Sequence, residues 1–147
     1  MENLGTILRI VAAKQTLPGA LLPILHEIQE ELGYIPPESV PLIAKELNLS
    51  RAEVHGVITY YHHFRQMPPG RHVVRVCCAE ACQAVGGEAL AEHARARLEG
   101  SDLTLEPVYC LGLCSIGPAL QIDETTLHAH VTTEKFDVLM DVLEAGQ

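Results

Sequence analysis

Residues 74–87, VRVCCAEACQAVGG, and residues 106–120, EPVYCLGLCSIGPAL, decide how this chain folds. Each starts on a β-branched apolar run and then breaks into a short loop carrying two cysteines. Cys77 and Cys82 stand at a C-x4-C spacing, and Cys110 and Cys114 at C-x3-C. Between them, from Gly86 to Leu98, Ala89, Leu90, His93, Ala94 and Arg97 recur at helical spacing. His72 to Val76 and Leu103 to Tyr109 read as strands, so the order is strand, helix, strand. A crossover of that kind makes the strands parallel and brings their C-terminal ends to one edge of a sheet. Both cysteine loops begin at those ends, so topology joins pairs separated by 27 intervening residues. Four thiolates delivered two by two suit a 2Fe-2S cluster.

Downstream, Ala119 to Ile122 and Leu127 to Val131 flank Asp123-Glu124-Thr125-Thr126 and read as an antiparallel hairpin. Phe136, Leu139, Met140 and Leu143 form the apolar stripe of a last helix. The order βαβ then ββα is that of a thioredoxin-like sheet. Upstream, Met67-Pro68-Pro69-Gly70 ends one region and lets the chain turn. Residues 1–67 before it read as short helices. Leu4, Ile7, Leu8 and Val11 make a first stripe, and Pro18-Gly19 interrupts it. Leu21, Leu22, Leu25, Ile28 and Leu32 make a second, which stops at Gly33. After Pro36-Pro37, Val40, Ile43, Ala44 and Leu47 line a third helix that Asn48 helps to stop. Ser50 with Glu53 is a capping-box pattern that predicts a fourth, from Arg51 to about Tyr60. The expected class is α+β: a helical bundle over 1–67, then a thioredoxin-like cluster domain over 71–147. The bundle carries no ligand cluster or phosphate loop, which suits docking rather than chemistry.

The cysteines admit other readings. Cys78 with Cys82 would make a second C-x3-C, and spacing alone does not choose between Cys77 and Cys78. Adjacent residues at a strand end point to opposite sides, so the two thiols do not serve one iron together. Cys78 is otherwise a small, weakly polar bystander, with ligand exchange or oxidation as the alternatives. Structural zinc favours C-x2-C knuckles, and a thioredoxin-type dithiol uses C-x-x-C; neither spacing is present. His62-His63 and His128-x-His130 lack accompanying cysteines at a matching spacing. For Tyr60, Tyr61 and Phe64 core packing is the simpler reading, with an interface as the alternative. Gly86-Gly87 lacks the rest of a phosphate-binding motif and reads as a tight turn beside the cysteine loop. Gly112 and Gly117 are placed to let backbone N–H groups approach cluster sulfurs.

Composition narrows the class. With 147 residues, 48% of them hydrophobic, the chain can build one core or two small ones. Its net charge of −9 opposes nucleic-acid binding, and after residue 70 five basic residues face twelve acidic ones. That excess reads as a solvated acidic surface or a steering patch for a basic partner. No apolar run approaches the ~20 residues of a membrane span, so no direct membrane insertion is expected. The N-terminus has no secretory pattern, and five cysteines are too few and too odd for a disulfide scaffold. A cytoplasmic protein is expected.

On these residues the chain resembles the thioredoxin-like 2Fe-2S proteins that form the small subunit of NADH-linked oxidoreductases, such as the 24-kDa-type subunit of respiratory NADH:quinone oxidoreductase. LLPILHEIQEELGYIP is similar to the family's leucine–proline helix and following turn, VHGVITYYHHF to its aromatic segment, and VCCAEAC with CLGLCSIGPAL to its four-cysteine signature. The resemblance implies that Cys77, Cys82, Cys110 and Cys114 are the ligands. AEACQAVGG and the lack of a long C-terminal extension look most like the gamma subunit of NAD-dependent formate dehydrogenase, although Cys78 stands where that subfamily is expected to have a basic residue. The implied role is one-electron transfer through one 2Fe-2S cluster, with no catalytic residue or substrate site in this chain. A hydride carries two electrons, so a flavin must divide the pair before a one-electron centre takes part. FMN and NAD(H) are therefore expected on a partner subunit, within a complex that holds further iron–sulfur or catalytic subunits. A quinone-reducing complex or an NAD-linked hydrogenase is the alternative setting, and a structural zinc-binding module is the alternative of another class.

Overall fold

The computed structural model describes residues 3–146. The chain divides into two compact units between Pro68 and Pro69.

The first unit holds four helices: α1 (Asn3–Lys14), α2 (Leu21–Leu32), α3 (Ser39–Glu46) and α4 (Arg51–Tyr60). Ile7, Ile10, Ile24, Leu25, Ile28, Ile35, Ile43 and Val54 are fully buried in its core. Burying one such side chain contributes roughly 1.5–3 kcal/mol. The stripe expected on α1 is displaced: Ile7, Ile10 and Val11 are buried, whereas Leu4 and Leu8 are 45% and 42% exposed. Leu4, Ile7, Leu8 and Val11 do lie near one another on the helix, but Ile10 draws the buried arc toward its own side. α2 ends where expected, with Gly33 at φ 81 donating its N–H to the Gln29 carbonyl at 2.8 Å. The capping box of α4 forms in full. Ser50 Oγ accepts from the Glu53 N–H at 3.1 Å, and the Ser50 N–H donates to Glu53 Oε2 at 2.7 Å. Buried Gln29 fastens the segment after α4: its Nε2 donates to the His63 carbonyl at 2.6 Å and its Oε1 accepts from the Arg65 N–H at 2.8 Å. Phe64 is packed into the core there. Core packing fails for its neighbours, because Tyr60 and Tyr61 are 75% and 43% exposed.

The second unit is a four-stranded sheet in the order β2-β1-β3-β4, built from β1 (His72–Cys77), β2 (Leu103–Val108), β3 (Leu120–Ile122) and β4 (Thr126–His128). β1 and β2 are parallel and end in register, Cys77 opposite Val108, and the remaining pairs are antiparallel. A short α5 (Glu80–Gln83) precedes the crossover helix α6 (Gly87–Leu98), and α7 (Thr133–Ala145) closes the chain. Val74, Val76, Leu90, Ala94, Leu120, Phe136 and Met140 form the core between the sheet and α6 and α7. α6 presents Leu90, Ala91, Ala94 and Leu98 to that core. Its His93 and Arg97 instead reach α7, at 2.7 Å to Asp137 and 2.9 Å to Glu144. The hairpin is tighter than expected. Asp123 and Glu124 take left-handed φ of 50° and 61°, and the Thr125 N–H closes the turn on the Ile122 carbonyl at 3.2 Å, so pairing resumes at Thr126. Beyond His128 the strand leaves the ladder, and the His130 and Val131 N–H groups donate to the Ile116 and Pro118 carbonyls at 2.8 and 3.0 Å. Among the described residues no helix is long and apolar enough to cross a membrane.

Candidate metal centre

β1 and β2 end side by side, and both cysteine segments leave from that edge. The Cys77 N–H donates to the Ala119 carbonyl at 3.0 Å, and the Cys78 N–H to the Val108 carbonyl at 2.7 Å. Alternation along β1 then separates the two neighbours. Cys77 joins a buried cluster with Cys82 and Ala119, flanked by Val108, Leu111 and Leu113, whereas Cys78 packs against the core under α6 and α7.

α5, which periodicity did not announce, carries Cys82 inward: Cys77 and Cys82 are each 2% exposed. Four residues between breakers give too little pattern to read, although Glu80 in the first turn is a helix-start signal. The second loop holds a 3-10 turn, Cys114–Ile116, that packs against α5. Cys110 and Cys114 lie there exposed, with their sulfurs 3.5 Å apart. Cys110 has φ 103, a conformation that costs a residue with a Cβ about 1–3 kcal/mol and is held where surrounding structure demands it.

Gly112 stands two residues after Cys110 and has its N–H beside that thiol. At φ 76 it donates its N–H to Cys110 Sγ at 3.3 Å. That bond, with a second from the Cys114 thiol, lowers the Cys110 pKa, while donation to Cys110 raises that of Cys114. Burial, and then a hydrogen bond with Cys77, raise the pKa of Cys82, which also feels Cys114. The two pairs thus lie within electrostatic reach of each other. At Gly117 the φ of −66 suits any residue, but a Cβ there would sit 3.1 Å from Cys82 Sγ. Gly86, at φ 101, makes the tight turn before α6, and a Cβ on Gly87 would fall 2.6 Å from the Cys82 carbonyl.

This donor set fits a two-iron cluster. Two thiolates on one tetrahedral metal, each bonded at about 2.3 Å, stand roughly 3.7 Å apart, close to the 3.5 Å between Cys110 and Cys114. Among the described residues no group of three or more Cys, His, Asp or Glu side chains is arranged to hold a single metal ion. His62 and His63 belong to the first unit, where His63 lies against His26 and Phe64. His128 and His130 flank the exit of the hairpin.

The family model of the thioredoxin-like [2Fe-2S] ferredoxins matches residues 7–144. The chain belongs to that family. A [2Fe-2S] cluster is the cofactor of thioredoxin-like ferredoxins of this kind. The chain is 32% identical over 130 residues to a subunit of the NADH-quinone oxidoreductase of Escherichia coli (strain K12), covering 83% of this chain and 78% of the relative. To NADH-quinone oxidoreductase subunit 2 of Thermus thermophilus it is 28% identical over 136 residues, covering 87% and 75%. A solved NAD+-reducing [NiFe]-hydrogenase in the air-oxidized state superposes with a TM-score of 0.63 at 24% identity, over 90% of this chain. The match spans 24% of that hydrogenase chain and is a likeness of fold.

Proposed function

We propose that Cys77, Cys82, Cys110 and Cys114 hold one [2Fe-2S] cluster, and that the chain passes single electrons as the small subunit of an NADH-linked oxidoreductase, with no substrate site of its own. The observation that carries the reading is the meeting of two cysteine pairs at the shared end of β1 and β2, Cys77 opposite Val108. When bound, the cluster supplies one-electron chemistry at a potential set by its surroundings. The chain sets those surroundings unevenly. Cys77 and Cys82 are walled from water by Ala119, Val108, Leu111 and Leu113. Cys110 and Cys114 are open to solvent or to a partner, and the Gly112 N–H favours negative charge on Cys110.

Likeness to subunits named for NADH-quinone oxidoreductase supports a complex of that type, in which a partner subunit carries FMN and the NAD(H) site and further subunits hold more iron–sulfur centres. This setting is better supported than the formate dehydrogenase expected from sequence, which rests on local features such as the AEACQAVGG stretch. Five thiols without a disulfide suit the reducing cytoplasm.

Protein made anaerobically with ample iron is expected to carry about two irons and two sulfides per chain, with an electron paramagnetic resonance signal that appears only on reduction. Stoichiometric zinc without sulfide would overturn the cluster. Co-expression with the flavin subunit of each complex type decides the setting, the quinone-linked partner being the one expected to co-purify.

A further inference from the structure

On the side of β1 that Cys78 serves, a half-open cavity of about 390 Å³ lies between β2 and α6. Its walls are apolar, formed chiefly by Val76, Leu98, Leu103, Leu105 and Pro107. Among the described residues Arg95 is the one cation that lines it. The two arginines of α6 differ: Arg97 is clamped by Asp141 and Glu144 at 3.0 and 2.9 Å, whereas Arg95 makes no ion pair among the described residues. Two carboxylates also line the cavity. Glu106 is committed to Arg75 at 3.1 Å. Glu99 is exposed just after α6, as Arg95 is within it.

Small-molecule sites hold roughly 300–1,000 Å³, mostly apolar, with a few polar groups that fix orientation. This cavity has that make-up at the small end of the range, and its uncommitted guanidinium matches a carboxylate by charge and by its forked donors. We propose that it binds a small monocarboxylate with a hydrocarbon body of about six to ten carbons, the carboxylate on Arg95 and the chain along Leu98, Leu103 and Leu105. The site is separate from the cysteine cluster, because Cys77 and Cys78 serve opposite sides of β1. The inference therefore stands or falls apart from the cluster reading.

The test uses the full-length, cluster-loaded protein under anaerobic conditions. Octanoate and its neutral counterpart octan-1-ol are titrated by calorimetry, and alkylation of Cys78 by N-ethylmaleimide is followed by mass spectrometry, since Cys78 lines the cavity. Octanoate is expected to bind one per chain and to slow Cys78 alkylation several-fold. Exposed Arg95 can be changed without touching the core, and Arg95→Gln is expected to weaken octanoate about tenfold while leaving octan-1-ol unchanged. No saturable octanoate binding at about 10 mM overturns the proposal. So does octanoate binding that ignores Arg95→Gln, or that leaves Cys78 unprotected and so places the acid elsewhere.

Discussion

Cys77 and Cys78 are one position apart, yet one is walled in with Cys82 and the other packs under α6 and α7. Cys77→Ser trades a soft thiolate for a harder oxygen donor, so the cluster is expected to be lost or its spectrum markedly shifted. Cys78→Ser is expected to leave iron content and spectrum unchanged. Iron that vanishes in Cys78→Ser and persists in Cys77→Ser would show the ligand assignment to be wrong. Arg75 poses a question of stability instead. Its side chain is 8% exposed and bonds Glu106 at 3.1 Å, Glu124 at 2.9 Å and Gln121 at 3.4 Å. Removing one member of a buried ion pair strands the other, so Arg75→Ala is expected to cost about 3 kcal/mol, read as a lower denaturation midpoint. Arg75→Leu with Glu106→Leu, which strands no buried charge, is expected to recover most of that loss. A double variant no more stable than Arg75→Ala would assign the cost to packing.

At the scale of the element, capping chemistry and apolar spacing act locally and therefore show in sequence. α4 has few buried residues of its own, Val54 and Ile58, so its N-terminal cap carries a larger share of its stability. Ser50→Ala removes the acceptor for the Glu53 N–H and is expected to cost about 1 kcal/mol, with Ser50→Asp close to wild type. Equal loss in both variants, measured by chemical denaturation, would rule out the cap as the cause. α5 and the 3-10 turn at Cys114 behave differently. Each is too short to be stable alone, since a helical nucleus is costly. They exist because they pack against each other.

For the whole molecule the telling fact is that the two units have separate cores, one centred on Ile24, Leu25 and Ile28 and the other on Val74, Leu120 and Phe136. Every cysteine belongs to the second unit. Protein beginning at Pro69 is accordingly expected to fold and to take up a cluster with an unchanged visible spectrum. The first unit bears exposed Tyr60, Tyr61 and Met67 without ligand chemistry, so its removal is expected to abolish co-purification with the flavin-bearing partner. Undiminished association of the truncated protein would assign the docking surface to the second unit alone.

What depends on near neighbours and on strand–helix alternation is legible in the residues alone. The capping box at Ser50, the stop at Gly33, the parallel pairing of the strands that end in Cys77 and Val108, and the gathering of two cysteine pairs at that edge all follow from spacing and chain topology. Packing between distant segments settled the rest. It turned the face of α1 toward Ile10 and left Leu8 in solvent, because a stripe of apolar residues does not say which part meets the neighbouring helices. It drew Arg75 into a paired site among Glu106, Gln121 and Glu124, partners 31 to 49 residues away. It also separated Cys77 from Cys78: alternation along a strand says that neighbours diverge, but the packing of Ala119, α5, α6 and α7 decides which side each one serves.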